Sequence, residues 1–470
     1  MGSLQAWQDR FNRGAVFALR VRVGGRAKEA SLLGKVVEAA SLAGGVVTAT
    51  TLSEIQKAGG KVTYELMVLT TGDEQMGLVR SAVAAVAGAE VIDVLDMALE
   101  SHRGGACEMR SRRPIRSNTD LRTLYTPGVA RVCKAIQADP ALARRYTGIP
   151  NKVAIVTNGT AVLGLGDIGA LAGLPVMEGK SAIFWEFAGI SAEPLLVDTR
   201  DPEEFINIVE KLAPGFGAIQ IEDVAAPECF PITRELDKRL KVPVMHDDQH
   251  GTATVVLAGL YSALKKVGRK MAHLRCVISG AGAAGTAIAD VLNHCGIADV
   301  VMVDRGGAIY QGRKEHMNAE KEALALRTNK DNFQGPLAEA MKGRDLFLGV
   351  SQANLVSQAM VRSMAKDPIV LALANPVSEI SVPEALEAGA AVAADGRIVN
   401  NALAYPGMFR GALDAGAEAI TLEMLMAAAK ALAERVQGDD LMPEMMDPAT
   451  HQAVAQATAG AAGPGTPLVA

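Results

Sequence analysis

Two pairs of neighbouring carboxylates carry the chemistry most readily legible in this sequence. Asp247 and Asp248 lie in VPVMHDDQHGTATVVLAGLYSAL (242–264), between a short apolar run and a long helical one, so they stand where a strand hands over to a helix. Side chains at the carboxyl ends of strands in open α/β folds point into a crevice, and ligands gather there. A charge pair desolvated in that crevice without partners would be destabilising by several kcal/mol, so cations are expected opposite it, a divalent metal and a lysine. Glu222 and Asp223 follow a second β-prone run, 218–221, within AIQIEDVAAPECF. Together with Asp248 they offer three oxygen ligands on two strand ends, a set that suits Mg²⁺ or Mn²⁺ and leaves positions for substrate and water. One acidic pair after a strand is usually a solvated turn, whereas two such pairs favour the metal. His246 and His250 stand four apart, but a zinc protease needs HExxH on a continuous helix. Gly251 breaks that pattern, and neutral hydrogen-bonded histidines are expected instead.

A second signal lies downstream. LRCVIS (274–279) reads as a buried strand, Gly280-Ala281-Gly282-Ala283-Ala284-Gly285 is GxGxxG, residues 286–294 are helical, and the next strand, 298–303, ends in Asp304. Strand, glycines, helix and an acid about 20 residues on make up the dinucleotide fingerprint, with pyrophosphate over the helix N-terminus and the acid on a ribose diol. Asp304 would repel a 2′-phosphate and so favours NAD, while the neighbouring Arg305 leaves room for NADP. An earlier GxGxxG at Gly164, Gly166 and Gly169 lacks a helical pattern directly after it, with Pro175 intervening, and is not expected to be a phosphate loop. Lys180 introduces the apolar run that follows. A lysine there is ordinarily solvated, and becomes a proton carrier only if buried carboxylates face it. Asn375 ends the strand IVLALA at the crevice, and Asn400-Asn401 open NNALAYPGMFRGALD; such asparagines either fasten loops or bond a nicotinamide carboxamide or a substrate carboxylate. Tyr125, after a short helix in SNTDLRTLYTPGVA, is by itself a packing residue.

The elements that must position these groups follow from periodicity. Residues 16–99 alternate as strand, helix, strand, strand, helix, strand: Phe17, Leu19, Val21 and Val23 keep the period of a half-buried strand, while Leu33, Val36, Val37 and Ala40, then Met76, Val79, Val83 and Val86, repeat at helical spacing. Lys57-Ala58-Gly59-Gly60 reads as the turn of a hairpin. This order resembles an ACT domain, a small module that commonly binds metabolites at a dimer interface and regulates an attached enzyme. The chain is accordingly divided into an ACT-like unit (14–100), an Arg-rich linker (101–117), a substrate and metal domain (118–268), a Rossmann-type domain (269–436) and an Ala-, Gly- and Pro-rich tail (437–470) expected to be loosely ordered.

Composition narrows the classes. A chain of 470 residues is too long for one core, and 49% hydrophobic with 4% aromatic residues suits parallel strands with crossover helices. A net charge of −5 without a basic stripe argues against a nucleic-acid partner. Five scattered cysteines without CxxC spacing argue against a disulfide framework. No run reaches the roughly 18 apolar residues of a membrane span, and the opening residues lack the apolar core of a signal peptide, so a cytoplasmic protein is expected.

From residue 118 to 435 the sequence resembles a bacterial-type malic enzyme, through LYTPGVA, VTNGTAVLGLGDIGALAGLPVMEGK, IEDVAAPECF, HDDQHGTA, GAGAAG, ALANP and NNALAYPGMFRGALD. The resemblance implies oxidative decarboxylation of malate to pyruvate with NAD, or less readily NADP, and a homodimer or higher oligomer. It makes Tyr125 the general acid, Lys180 the general base tuned by Asp247, and Glu222, Asp223 and Asp248 the ligands of Mg²⁺ or Mn²⁺. Gly280, Gly282, Ala283, Ala284, Gly285, Asp304 and Arg305 would hold the cofactor, and Asn375, Asn400 and Asn401 the substrate or nicotinamide. Two departures stand out. Ala161 occupies the position where the eukaryotic branch has a carboxylate-binding arginine, and an insertion common in bacterial relatives near 396–399 is missing. The rival readings are a non-decarboxylating or malolactic converter of malate, and a metabolite sensor with an inactive catalytic half.

Overall fold

The computed structural model describes residues 15–24, 29–55, 61–162 and 164–468 and divides into two compact units, Met1–Glu108 and Met109–Ala470. The expected hairpin turn at Lys57–Gly60 and the opening residues Met1–Gly14 lie outside the described residues.

In the first unit, strands β1 (Ala15–Gly24), β2 (Val46–Ile55), β3 (Lys61–Thr70) and β4 (Ala89–Asp96) alternate with helices α1 (Glu29–Leu42) and α2 (Asp73–Ala84). They form an antiparallel sheet of order β2-β3-β1-β4. Phe17, Leu19 and Val21 share one core with Val36 and Ala40 of α1 and Met76, Val79 and Val83 of α2, as the two periodicities require. Charge pairs cross the strands on the other face of β1, Arg20 to Glu65 at 3.1 Å and to Asp93 at 3.4 Å. A half-solvated antiparallel sheet has this division.

The second unit opens with three short helices, α3 (Asn118–Leu124), α4 (Val129–Ala138) and α5 (Leu142–Tyr146). Strand and helix then alternate through β5 (Lys152–Thr157), α6 (Ala170–Ala188), β6 (Ser191–Leu196), α7 (Pro202–Leu212), β7 (Ala218–Ile221), α8 (Cys229–Arg239) and β8 (Val244–His246), giving a parallel sheet of order β6-β5-β7-β8. Every residue of β7 and β8 is buried, the polar Gln220 and His246 included, as in a parallel sheet covered on both faces. The long helix α9 (Thr252–Val267) leads to a second sheet. Its strands are β9 (Arg275–Ser279), β10 (Asp299–Asp304), β11 (Gly307–Ala308), β12 (Leu346–Gly349), β13 (Ile369–Ala372) and β14 (Val392–Asp395), with α10 (Ala283–His294) after β9. The order β11-β10-β9-β12-β13-β14 is parallel except for the β10–β11 hairpin, as in a Rossmann-type domain. One continuous core takes in α9, α10 and residues from both sheets, including Ile155, Cys276 and Leu371. Among the described residues no helix is long and apolar enough to cross a membrane.

Two expectations are corrected. The glycine run ending at Gly169 does lead straight into a helix, the 19-residue α6, with Pro175 inside it and Lys180 near its middle. Pro175 falls only one turn in, so its ring and missing N–H forfeit a single backbone bond, and the apolar residues beyond it are helical, not extended. The tail is also ordered. Helix α13 (Pro448–Gly460) packs on α11 (Tyr405–Ala415) and α12 (Leu422–Glu434), burying Thr450, His451, Val454 and Thr458. Its small residues suggested low complexity, yet their size is what allows close approach. A β-carbon at Gly411 would stand 2.4 Å from the Ala455 carbonyl oxygen, and one at Gly407 2.7 Å from the Val454 side chain. Gly411→Ala is expected to reduce stability by about 1–3 kcal/mol through overpacking, read as a fall in melting temperature by circular dichroism; an unchanged melting point would mean the α11–α13 contact is looser than described.

Candidate active site

The carboxyl ends of β5, β7 and β8 lie side by side and release their chains into one crevice. After β7 come Glu222 and Asp223, and after β8 come Asp247 and Asp248. Carboxylate oxygens of Glu222, Asp223 and Asp248 lie within 4.8 Å of one another, as a shared cation would need. Glu222 and Asp223 are 2% exposed, and Asp223 adopts a positive φ of 52°, a left-handed conformation that an aspartate tolerates only at a cost. Its N–H donates to Asp248 Oδ2 at 2.9 Å, and its carbonyl accepts from Ala161 N–H at 3.0 Å, so the turn is tied to β8 and to the loop after β5. Burial, opposed by Lys180 but reinforced by Asp248, Asp247 and Asp223, pushes Glu222 well above the usual carboxylate range. A divalent cation would relieve that crowding, so the donor set fits one.

Lys180 reaches the same place from the middle of α6. Its ammonium is 2.6 Å from Asp247 Oδ2 and 3.0 Å from Glu222 Oε1. The Tyr405 ring lies under it at 4.7 Å. Desolvation alone would lower its pKa, but the charges of Asp247 and Glu222 outweigh burial and hold it above the ordinary lysine value. Asp247 is buried, and Asn401 Nδ2 donates to the same Oδ2 at 2.7 Å from 154 residues away in sequence. Gly251 does not break the helix; residues Asp247–Gly251 form one wide π-type turn feeding α9. Glycine is required there for packing, because a β-carbon would sit 1.8 Å from Asp247 Oδ1. Burial pushes His246 down and His250 down to about 3, so both are neutral. Tyr405 was not singled out in the sequence; its phenol is 1% exposed and pushed upward by burial. Its place five residues after Asn400 was the available signal.

Gly280, Gly282 and Gly285 form a tight turn into α10. Gly280 has φ 112°, and β-carbons at Gly280 and Gly285 would meet the Val350 oxygen at 2.5 Å and the Gly280 oxygen at 1.9 Å. The space around Gly282 is open, and Ala283 and Ala284 supply unpaired first-turn N–H groups, so the loop fits a pyrophosphate. Asp304, at the end of β10, is not a bare carboxylate. Its Oδ1 accepts from Arg313 Nη2 at 2.7 Å and Gly306 N–H at 2.8 Å, and its Oδ2 from Lys321 Nζ at 2.7 Å. Arg305 is exposed beside it. Asn375 is exposed after β13, its carbonyl oxygen 2.8 Å from where a β-carbon of Gly164 would be. Asn400 caps a turn, its Oδ1 accepting from Ala402 N–H at 2.9 Å. Tyr125 stands apart: it ends α3 with 65% of its surface exposed, and among the described residues no hydrogen bond joins its side chain to Lys180.

A dinucleotide loop on one sheet and a lysine–carboxylate site on the other define a nicotinamide-dependent α/β oxidoreductase. Residues 105–237 match the malic enzyme N-terminal domain, and residues 249–399 and 391–462 the malic enzyme NAD binding domain. The chain is 44% identical over 408 residues to an NAD-dependent malic enzyme of Geobacillus stearothermophilus, covering 85% of each. It is 48% identical over 368 residues to a bifunctional malic/malolactic enzyme of Bacillus subtilis, covering 76% of this chain and 90% of that one. The crystal structure of an NAD-dependent malic enzyme from Thermotoga maritima superposes with a TM-score of 0.74 at 40% identity, over 77% of this chain and 99% of the other. The chain belongs to the malic enzyme family.

Because burial and the neighbouring acids raise Glu222, a cation entering the three carboxylates competes with protons for them. Calorimetric titration with Mn²⁺ between pH 6 and 8 is expected to show tighter binding as pH rises, with proton release visible as a buffer-dependent heat. Affinity independent of pH with no released proton would contradict the crowded-carboxylate description.

Proposed function

We propose that the chain converts malate to pyruvate and CO₂ with reduction of NAD(P) through the following division of labour. The observation that carries it is the buried Lys180 ammonium, 2.6 Å from Asp247 and 3.0 Å from Glu222, beside three carboxylates able to share one ion. Glu222, Asp223 and Asp248 would hold Mg²⁺ or Mn²⁺. When bound, the cation supplies Lewis-acid polarisation of the substrate C2 oxygen and the nicotinamide supplies the hydride acceptor. A cation drawing on Glu222 would weaken that carboxylate's hold on the Lys180 ammonium. With that hold weakened, Asp247 would be the lysine's main carboxylate partner and the ammonium would release its proton to solvent more readily. Lys180 then takes the C2 hydroxyl proton as hydride leaves C2, and Asp247, fixed by Asn401, holds the resulting ammonium in place. After CO₂ departs, Tyr125 delivers a proton to C3 of the enol, giving pyruvate.

Lys180→Ala is expected to lower kcat by 10²-fold or more with the cofactor dissociation constant unchanged, the scale usual for loss of a general base. Turnover near wild type would remove the assignment. Measuring CO₂, NADH and lactate together separates oxidative decarboxylation, which gives CO₂ and NADH in equal amounts, from a malolactic conversion giving CO₂ and lactate.

Cofactor choice rests on Asp304. Arg313 and Lys321 each pair with one of its oxygens, so two cations surround one anion and the net charge at the ribose end favours a 2′-phosphate more than an isolated Asp304 would. The chain is therefore read as using NAD with NADP admitted. Lys321→Ala is expected to raise KM for NADP several-fold more than KM for NAD, and an unchanged ratio would exclude Lys321 from the choice.

The first unit is read as an ACT-like module binding a small metabolite that modulates the enzyme. Its βαββαβ order and sheet order β2-β3-β1-β4 support that reading. The segments 14–100, 101–117, 118–268, 269–436 and 437–470 serve as the working domain boundaries, the junction at Glu108–Met109 falling within the Arg-rich linker.

A further inference from the structure

We infer that the Ser351 hydroxyl seats the nicotinamide riboside half of the dinucleotide, and that the buried Glu379 is the positioning residue that turns this hydroxyl into a hydrogen-bond acceptor toward it. The inference starts from a carboxylate that the lysine site does not use. Glu379 is 0% exposed, and among the described residues it is met by N–H and O–H groups and by no cation. Its Oε1 accepts from the Ser351 N–H at 2.8 Å and the Ser351 hydroxyl at 3.1 Å, and its Oε2 accepts from the Ala374 N–H at 3.1 Å. A carboxyl group so deep is tolerated only when its oxygens are satisfied, and here the segments leaving β12 and β13 satisfy them. Gly349 makes the room, because a β-carbon there would stand 2.4 Å from the Glu379 carboxyl carbon. The carbonyls of Ser378 and Glu379 fasten the same loop, accepting from Asn354 N–H at 3.0 Å and Val356 N–H at 2.9 Å.

These bonds fix a direction. Ser351 has one hydroxyl hydrogen, and Glu379 takes it. In the 2.9 Å contact between the Ser279 and Ser351 hydroxyls, Ser279 is therefore the donor. Ser351 Oγ accepts that bond and keeps a second lone pair. Ser279 is 2% exposed and out of a ligand's reach, whereas Ser351 is half-buried and within it.

The place of Ser351 in the sheet decides what its lone pair meets. The strand order β11-β10-β9-β12-β13-β14 reverses between β9 and β12, and a dinucleotide lies across the crevice outside the strand ends at such a point. Ser279 ends β9 and Ser351 comes two residues after β12, so the hydroxyl pair spans the reversal. The Val350 oxygen is the atom a β-carbon at Gly280 would strike, so this loop abuts the pyrophosphate turn. With Asp304 on the β10 side read as the partner of the adenosine ribose, a reading on which this assignment of halves rests, the nicotinamide riboside falls on the β12–β13 side. An ionised phosphate has no hydrogen to give to an acceptor. The nicotinamide carboxamide and its ribose hydroxyls have several, so an acceptor at Ser351 favours that half and disfavours a phosphate in its place.

Calorimetric titration of the full-length chain with NADH and, separately, with ADP tests the inference, since ADP carries the adenosine and both phosphates but no nicotinamide riboside. Ser351→Ala is expected to raise the NADH dissociation constant about three- to tenfold, the scale of one hydrogen bond, and to leave that for ADP unchanged. Glu379→Gln keeps the side-chain volume but sets an amide N–H₂ against a donor of Ser351 or Ala374, and the same selective loss is expected. Unchanged NADH affinity in Ser351→Ala would overturn the inference. Equal losses for NADH and ADP would also overturn it, marking a loop that only supports the glycine turn. Wild-type NADH binding in Glu379→Gln would overturn the part given to Glu379, and if that variant does not fold by circular dichroism, Ser351→Ala carries the test alone. Asp304→Ala is the reference, expected to weaken both ligands; if it weakens neither, the adenosine reading fails, while a selective loss in Ser351→Ala still upholds the nicotinamide contact.

Discussion

One buried ammonium held between two carboxylates organises this enzyme. Lys180 is 9% exposed, and Asp247 and Glu222 are 0% and 2% exposed, so three charges have left water together. Such a group is tolerated only when its geometry is tight and the leftover hydrogen-bonding capacity is met, since removing one partner strands the others. Much of the surrounding structure serves that condition. The length of α6 brings a lysine from a helix interior to two strand ends, and Asn401 reaches across the sequence to the same Asp247 oxygen that Lys180 holds, while Gly251 leaves room for the other oxygen. The Tyr405 ring, itself packed edge-on against Phe184 at 4.9 Å, closes the site from the remaining side.

The same arrangement sets a competition. Glu222 faces the lysine with one oxygen and takes a hydrogen bond from Gln220 at 2.7 Å on the other, so a cation recruiting it would compete with Lys180 for its charge. In the proposed mechanism, binding of the ion and release of the lysine's proton would thereby be coupled through one carboxylate. The strained φ at Asp223 belongs to this economy: it turns a backbone N–H toward Asp248 and brings a third acid into a cluster that repulsion would otherwise open. The nucleotide half is built on a different principle, backbone proximity in place of paired charge. Gly280 and Gly285 are pressed so closely against neighbouring backbone that no side chain fits, which exposes the first turn of α10.

The carboxylates were legible in the sequence because each pair follows a short apolar run, and strand ends converge in a parallel sheet whatever the side chains between them. The GxGxxG loop was legible for a similar reason, since strand, turn and helix are local. What could not be read locally came from distance or from composition. Lys180 looked like the forerunner of a strand because Pro175 suggested a break, while the residues packed against α6 decided otherwise. The clamp on Asp304 depends on Arg313 and Lys321, which no short motif connects to it. The closing helix α13 was hidden by its small residues, whose packing value appears only against Gly407 and Gly411. Tyr125 was legible through a resemblance to a family, and its exposure in a single chain emerged only in three dimensions.

The coupling of ion and lysine is tested most directly by anomalous diffraction from crystals grown with Mn²⁺. A single peak lying between the carboxylates of Glu222, Asp223 and Asp248 is expected, with Lys180 still on Asp247 and drawn away from Glu222. A peak elsewhere, or Lys180 still on Glu222 Oε1 with a fully occupied ion, would contradict the description.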